Sequence, residues 1–158
     1  TSSQSQKDII IRNKQIIDNV MPNANAIMIE NFVKLFFLTG DIKYFELNKN
    51  IIQDYTSRIN KEYFGICSFL NSLDFFNNYQ SIIIAGKNPI NNREIYDQLI
   101  DHYRPNTIII MINNKDEIFS DSKFISQINI EDESLIYLCK DNTCSLPTKN
   151  INDIINKI

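Results

Sequence analysis

The chain has 158 residues, of which 43% are hydrophobic and 22% charged, and its formal net charge is -3. This composition is that of a globular protein, and its scattered Lys and Arg residues do not form the basic face that nucleic acid requires. No apolar run reaches the roughly 18 residues needed to cross a bilayer, and residues 1–8 lack signal-peptide features. With only three cysteines, we expect a soluble protein of the reducing cytoplasm, with neither nucleic acid nor membrane as a partner.

The first half of the chain begins with a strongly apolar helical segment. Residues 25–38 are apolar on nearly every side, which predicts a helix that is covered all round. Pro22 and Asn23 fit the start of this helix. Gly40 fits its end, and Asp41 fits the N-cap of a helix that follows at once. The pattern therefore predicts a helical hairpin.

Two more helices are predicted from apolar periodicity. Residues 42–59 have a one-sided stripe with polar residues opposite, which indicates a helix on the outside of the first. The stripe consists of Phe45, Asn48, Ile52, Tyr55 and Ile59. A third helix is predicted over about 62–77.

The pattern changes after Asn78. Residues 81–86 and 106–113 are short β-branched runs, and residues 91–105 between them have a helical pattern, which predicts a βαβ unit. Residues 133–139 are a third predicted strand, and residues 150–158 a final helix.

These elements define the expected fold class. We predict an α+β protein, in which a helical hairpin region over residues 1–78 is followed by a small three-stranded α/β unit over residues 79–158.

A pair of cysteines is the most distinctive chemical feature of the sequence. Cys139 and Cys144 flank residues 140–143, a segment of strong turn formers, so a hairpin should bring the two thiols together. Reduced, mostly buried thiols are favoured, while a reversible disulfide and half of a metal site remain alternatives. We expect no metal, because two further ligands are missing and Cys67 is on a different predicted element.

For the other residues that could take part in chemistry, the sequence favours structural roles. Gly86 lies between a predicted strand and a helix, where phosphate often binds, but the Gly-rich spacing of such sites is absent. His102, the only histidine, is expected to lie exposed near the end of a helix. Glu131 and Asp132 are expected to be solvated in a loop. No cofactor is expected.

Several motifs occur together in an order that resembles a known family. "IIIRNKQIIDNVMPNANAIMIENFVKLFFLTGDIKYF" resembles a segment of the spermatogenesis-associated, thioredoxin-domain-containing proteins of the YyaL type, which reads approximately R-x-K-x-x-x-D-x-x-x-P-S-G-N-S before a long helix and L-T-G-D. "SIIIAG", "RPNTIIIMIN" and "LIYLCKDNTCSLPTKNINDII" are similar to the closing segments of that family, including its C-x-x-x-x-C-x-x-P.

The resemblance implies a larger architecture. Family members have a thioredoxin-like domain, then an (α/α) toroid like that of sugar epimerases and six-hairpin glycosidases, and then segments like these. This chain resembles the last part only. We therefore expect it to form a homo-oligomer or to bind a separate chain that supplies the N-terminal part, with the contact centred on the helices over residues 25–38 and 42–59.

The same resemblance suggests candidate ligand residues. In related toroids the start of an inner helix faces the central cavity, which nominates Arg12, Asp18, Asn23 and Asn25. The family's Ser-Gly is replaced here by Asn23-Ala24, so a hydroxyl and a glycine are lost. The structural alternative is stronger: Asn23 caps the helix, Asp18 bonds to backbone in a turn, and Arg12 is solvated.

Three classes of function remain open. The first is a non-catalytic or incomplete C-terminal module that acts through association, with no catalytic residues of its own. The second is a carbohydrate-active enzyme fragment, like the toroidal epimerases and glycosidases. The third is a thiol redox protein that uses Cys139 and Cys144. We favour them in that order, because neither chemistry has a full set of groups in the sequence.

Overall fold

The computed structural model of the chain describes residues 17–59, 64–102, 104–114, 122, 125–140 and 143–158. In chain order its elements are α1 (Ala24–Thr39), α2 (Ile42–Arg58), α3 (Cys67–Asn78), β1 (Gln80–Ala85), α4 (Pro89–Asp101), β2 (Thr107–Ile112), β3 (Leu135–Lys140), β4 (Thr143–Cys144) and α5 (Ile151–Ile155). Among these helices, none combines the length and the apolar composition needed to cross a bilayer. The predicted third helix begins later than expected, at Cys67, and is preceded by a short 3-10 turn over Phe64–Ile66.

The strands form one mixed sheet in the order β2-β1-β3-β4. β1 and β2 are parallel, as the βαβ pattern predicts, and β3 runs antiparallel to β1 on its other side. The α+β class is confirmed. The sheet has a fourth strand that the prediction of three strands lacked, because β4 has only two residues and two residues make no recognisable strand pattern.

Helices cover both faces of the sheet. On one face, Ile83 and Ala85 of β1 pack with Val33 and Phe37 of α1 and with Phe75 of α3. Side chains alternate between the faces of a strand, so the remaining apolar residues of β1 point to the opposite side. There Ile82 and Ile84 pack with Leu99 of α4 and Ile154 of α5. The core on the α1 side of the sheet thus contains residues from both predicted units, 1–78 and 79–158.

The ends of α1 follow the local sequence signals. The side chain of Asn23 accepts a hydrogen bond from the Asn25 N–H at 2.9 Å, which makes it the N-cap. Gly40 ends the helix in the left-handed conformation, with φ of 71°. The next residue, Asp41, caps α2 by accepting from the Lys43 N–H at 2.9 Å. Glycine pays no steric cost for that φ, so the tight connection needs this residue type.

One prediction about α1 is wrong. The helix is not covered all round: it buries a single stripe, consisting of Ala26, Ile29, Val33 and Phe37. Ile27 and Met28 on its other side remain 40% and 38% exposed. The reason is geometric, since α2, α3 and the sheet pack against one part of the helix circumference and leave the start of its outer side open.

Candidate functional site

Asp18 connects the segment before α1 to the start of α3. Its Oδ2 atom accepts a hydrogen bond from the backbone N–H of Ser68 at 2.8 Å, and its Oδ1 atom accepts from the backbone N–H of Asn23 at 2.9 Å and from the Ser68 hydroxyl. The N-cap position of α3, Ile66, has no side-chain bond of its own. Asp18 therefore supplies the missing cap from 50 residues away in sequence.

Hydrogen bonding lowers the pKa of Asp18. Partial burial raises the pKa of its carboxyl group, but the hydrogen bonds from the Ser68 side chain, the Ser68 backbone and the Asn23 backbone outweigh burial. The pKa therefore lies below the ordinary aspartate value. A carboxylate that accepts several hydrogen bonds is stabilised in its charged form.

The Asn23 and Asn25 side chains meet the hydroxyl of Tyr55. Tyr55 is buried and donates its hydroxyl proton to Asn23 Oδ1, while the Asn25 side chain also hydrogen bonds to the Tyr55 oxygen. Burial raises the pKa of Tyr55, so its hydroxyl remains protonated and able to donate. The start of α1 is thereby connected to α2.

The structure thus brings together three of the four candidates, Asp18, Asn23 and Asn25. The fourth, Arg12, lies outside the described residues. Two further residues, Ser68 and Tyr55, hold the three together, and neither is among the candidates nominated from the sequence. Tyr55 was visible only as a member of the apolar stripe of α2, and no local signal marks Ser68. The hydrogen bonds of Asp18 connect the starts of α1 and α3, and Tyr55 adds α2 through its bond to Asn23, so the arrangement joins three helices.

Replacing Asp18 with asparagine is expected to lower the free energy of unfolding by about 2 kcal/mol at neutral pH, because a charged acceptor at the start of α3 is lost. The folded-state pKa of Asp18 is lowered. Its stabilisation is therefore fully present above the unfolded-state pKa, roughly 3.9, and is lost as the pH falls through the lower folded-state value. The difference in unfolding free energy between wild type and Asp18→Asn should therefore become smaller in acid. Urea unfolding at several pH values measures it.

The same substitution at Asp101, an exposed residue at the end of α4, is the control. Asp101→Asn should change stability by no more than about 0.5 kcal/mol. A difference between wild type and Asp18→Asn that stays constant from neutral pH to pH values below the folded-state pKa would contradict the role given to the carboxylate.

The two C-terminal cysteines are joined. Cys139 of β3 lies directly opposite Cys144 of β4, and a disulfide connects them. The favoured prediction of reduced thiols is therefore not what the structure contains, because the register of the hairpin places the two sulfur atoms within bonding distance. The expected burial holds for Cys139, which is 3% exposed, but not for Cys144, which is exposed.

The site beside Gly86, at the carboxyl end of β1, is filled by neighbouring protein atoms. An alanine Cβ at Gly86 would lie 2.7 Å from Ser134 Cα, so no space for a ligand remains beside this glycine. Asn92 is fully buried below it and donates to the Gly86 carbonyl at 2.7 Å, while Ser134 donates to Asn92 Oδ1 at 2.5 Å. The first free N–H groups of α4 are capped by Asn88. This network is structural.

The remaining residues noted in the sequence lie at the surface. His102 is exposed at the end of α4, with its Nδ1 atom 3.0 Å from the Gln98 carbonyl oxygen. Asp132 is exposed and pairs with Lys87 at 2.8 Å. Within the part of the chain that the structure describes, no group of three or more His, Cys, Asp or Glu side chains is placed to hold a metal ion.

Comparisons with protein-family models, with curated proteins and with solved structures find no match for this chain.

Proposed function

We propose that this chain is a non-catalytic module that acts through association. It packs against the helices of an (α/α) toroid like that of the spermatogenesis-associated, thioredoxin-domain-containing proteins, and in the absence of such helices a second copy of the chain takes their place. The order of motifs along the sequence supports the choice of partner. The distribution of exposed apolar side chains supports association.

The observation that carries the proposal is an apolar surface beside the first turns of α1 and α3. We call it the α1/α3 patch, and it consists of Ile17, Val20, Met21 and Phe64. Phe64 is 98% exposed, Met21 76% and Ile17 57%. The patch is held together by the hydrogen bond from the Asp18 N–H to the Gly65 carbonyl at 2.6 Å.

The side chains exposed at the α1/α3 patch suit an apolar partner better than a sugar. The carboxylate nearest the patch, Asp18, has both oxygens engaged by Ser68 and Asn23, so it presents no free acid or base. Apolar area removed from water contributes on the order of 25 cal/mol per Å². Covering four large apolar side chains therefore favours association, although part of the gain is offset by lost freedom of the partners.

The contact lies elsewhere than along residues 25–38 and 42–59, where the sequence pattern predicts it. Val20, Met21 and Phe64 are at least 76% exposed and lie before α1 and just before α3, while Ile42 at the start of α2 is 60% exposed. Ile27 and Met28 of α1 are also exposed, with smaller fractions of 40% and 38%.

Static light scattering of the chain at micromolar concentration tests the proposal. Wild type is expected to associate, and the double variant Val20→Ser, Phe64→Ser is expected to be monomeric at the same concentration. The two residues are exposed, so their substitution removes contact area without opening a cavity in the core.

Leu146→Ser is the matched control, because Leu146 is 90% exposed but follows the disulfide hairpin and is not part of the α1/α3 patch. It should associate as wild type does. A wild-type protein that stays monomeric at every concentration, or association lost equally in Leu146→Ser, would end the proposal.

A further inference from the structure

Asn48 is a buried polar residue in the apolar stripe of α2. It is only 1% exposed, and its Nδ2 atom donates to the backbone carbonyl of Ile29 at 3.2 Å. Its Oδ1 atom is equally buried and has no hydrogen-bond partner among the described residues. A buried acceptor without a partner is costly and uncommon in folded proteins, so this atom requires an explanation.

Asn48 lines a cavity between the three N-terminal helices. The cavity has a volume of about 150 Å³ and is lined by Val33 and Phe36 of α1, Phe45 and Asn48 of α2, Phe76 and Asn77 of α3, and Tyr79, which follows α3. Because Nδ2 of Asn48 is engaged with Ile29, Oδ1 is the atom of this side chain that lacks a partner. Its accessible area is close to zero, so a guest reaches it only when a lining side chain shifts.

The walls of the cavity are aromatic. The ring centroids of Phe36 and Phe45 are 5.6 Å apart, and those of Phe45 and Phe76 are also 5.6 Å apart in a stacked arrangement. Such a surface favours a flat ring, which can pack against these faces and edges. The lining contains no charged side chain, so an anion would lose its hydration without gaining a charged partner.

Size and access restrict the guest further. Cavities of roughly 150 Å³ with apolar walls accept a molecule the size of benzene. Asn77 is the exposed residue among those lining the cavity, and it lies one residue before the end of α3. The volume therefore suits one ring.

We propose that this cavity binds a small neutral aromatic molecule, whose hydroxyl or N–H group donates a hydrogen bond to Asn48 Oδ1. The apolar walls hold the ring, and the buried Oδ1 acceptor of Asn48 favours rings that carry a donor. The proposal does not depend on association through the α1/α3 patch, whose residues do not line the cavity.

Phenol and toluene are the probes, because they share one ring and differ only in a hydroxyl in place of a methyl group. Each is titrated into wild type and into Asn48→Leu, which has a similar volume but no acceptor. Amide NMR spectra report the affinity and the residues that respond. In Asn48→Leu the affinity for phenol relative to toluene is expected to fall about tenfold, the effect of one hydrogen bond.

Asn50→Leu provides the control, since Asn50 lies on the exposed side of α2 two residues further on. Its preference for phenol should equal that of wild type. The proposal is overturned by an unchanged phenol-to-toluene ratio in Asn48→Leu, or by phenol that perturbs residues away from the cavity. It is equally overturned if wild type shows no saturable binding, which would mean that the cavity holds water only.

A second measurement uses wild type alone, in case Asn48→Leu does not fold. Bound phenol should give nuclear Overhauser contacts from its ring protons to the rings of Phe45 and Phe76, which line the cavity. Their absence while phenol is bound would place the ligand elsewhere and would overturn the proposal.

Discussion

Replacing Phe69 with alanine is expected to lower the free energy of unfolding by about 3–5 kcal/mol, the range for buried Phe→Ala substitutions. Phe69 is 1% exposed, and its ring stacks on that of Tyr55 with centroids 4.4 Å apart and planes 13° from parallel. The ring fills the centre of the core between α1, α2 and α3, where it packs with Ala26 and Ile29. Chemical unfolding monitored by circular dichroism measures the loss.

The same substitution at Phe64 is the matched control. Phe64 precedes α3 and is 98% exposed, so Phe64→Ala should change stability by no more than about 0.5 kcal/mol when the protein is monomeric. Equal losses for the two variants would show that the core does not depend on the packing of Phe69.

Replacing Gly86 with alanine is expected to lower the free energy of unfolding by about 2–3 kcal/mol, because the added methyl group overpacks a closed site. The new Cβ atom would lie 2.7 Å from Ser134 Cα and 2.9 Å from Ser134 Oγ. Relief requires backbone movement of the segment before β3, which would strain the hydrogen bonds of Asn92 to the Gly86 carbonyl and of Ser134 to Asn92. Thermal unfolding provides the measurement.

Gly65→Ala is its control. There the new Cβ atom would lie 3.0 Å from Ile17 Cγ2, the end of a flexible side chain that is 57% exposed. That side chain can move, so the loss should stay below about 1 kcal/mol. A Gly86 variant as stable as the Gly65 variant would contradict the close packing at the carboxyl edge of the sheet.

Features that depend on a few neighbouring residues could be predicted from the sequence. The end of α1 at Gly40 and the N-caps at Asn23 and Asp41 follow from local chemistry, because a left-handed turn and a free helix N–H each need a particular residue type nearby. The parallel pairing of β1 with β2 follows in the same way from two apolar runs joined by a helix.

The candidate site could be predicted only in part. Asn23 was expected either to line a ligand cavity or to cap α1, and the structure has it as the cap. Asp18 was expected near it, but its main partner, Ser68, is 50 residues away and carries no signal that would connect the two. A pairing such as that of Asp18 with Ser68 depends on how whole helices pack against each other. It therefore cannot be predicted from the residues next to either one.

The sequence by itself determined the α+β class, the helix caps and the proximity of Cys139 and Cys144, because each rests on local periodicity or turn chemistry. Only the tertiary structure decided which side of α1 is buried, how the hairpin register joins the two sulfur atoms, and that Asn48 faces an aromatic cavity. An apolar stripe shows which residues can be buried. What they are buried against, and which polar atom is left without a partner, depends on the arrangement of elements far apart in the chain.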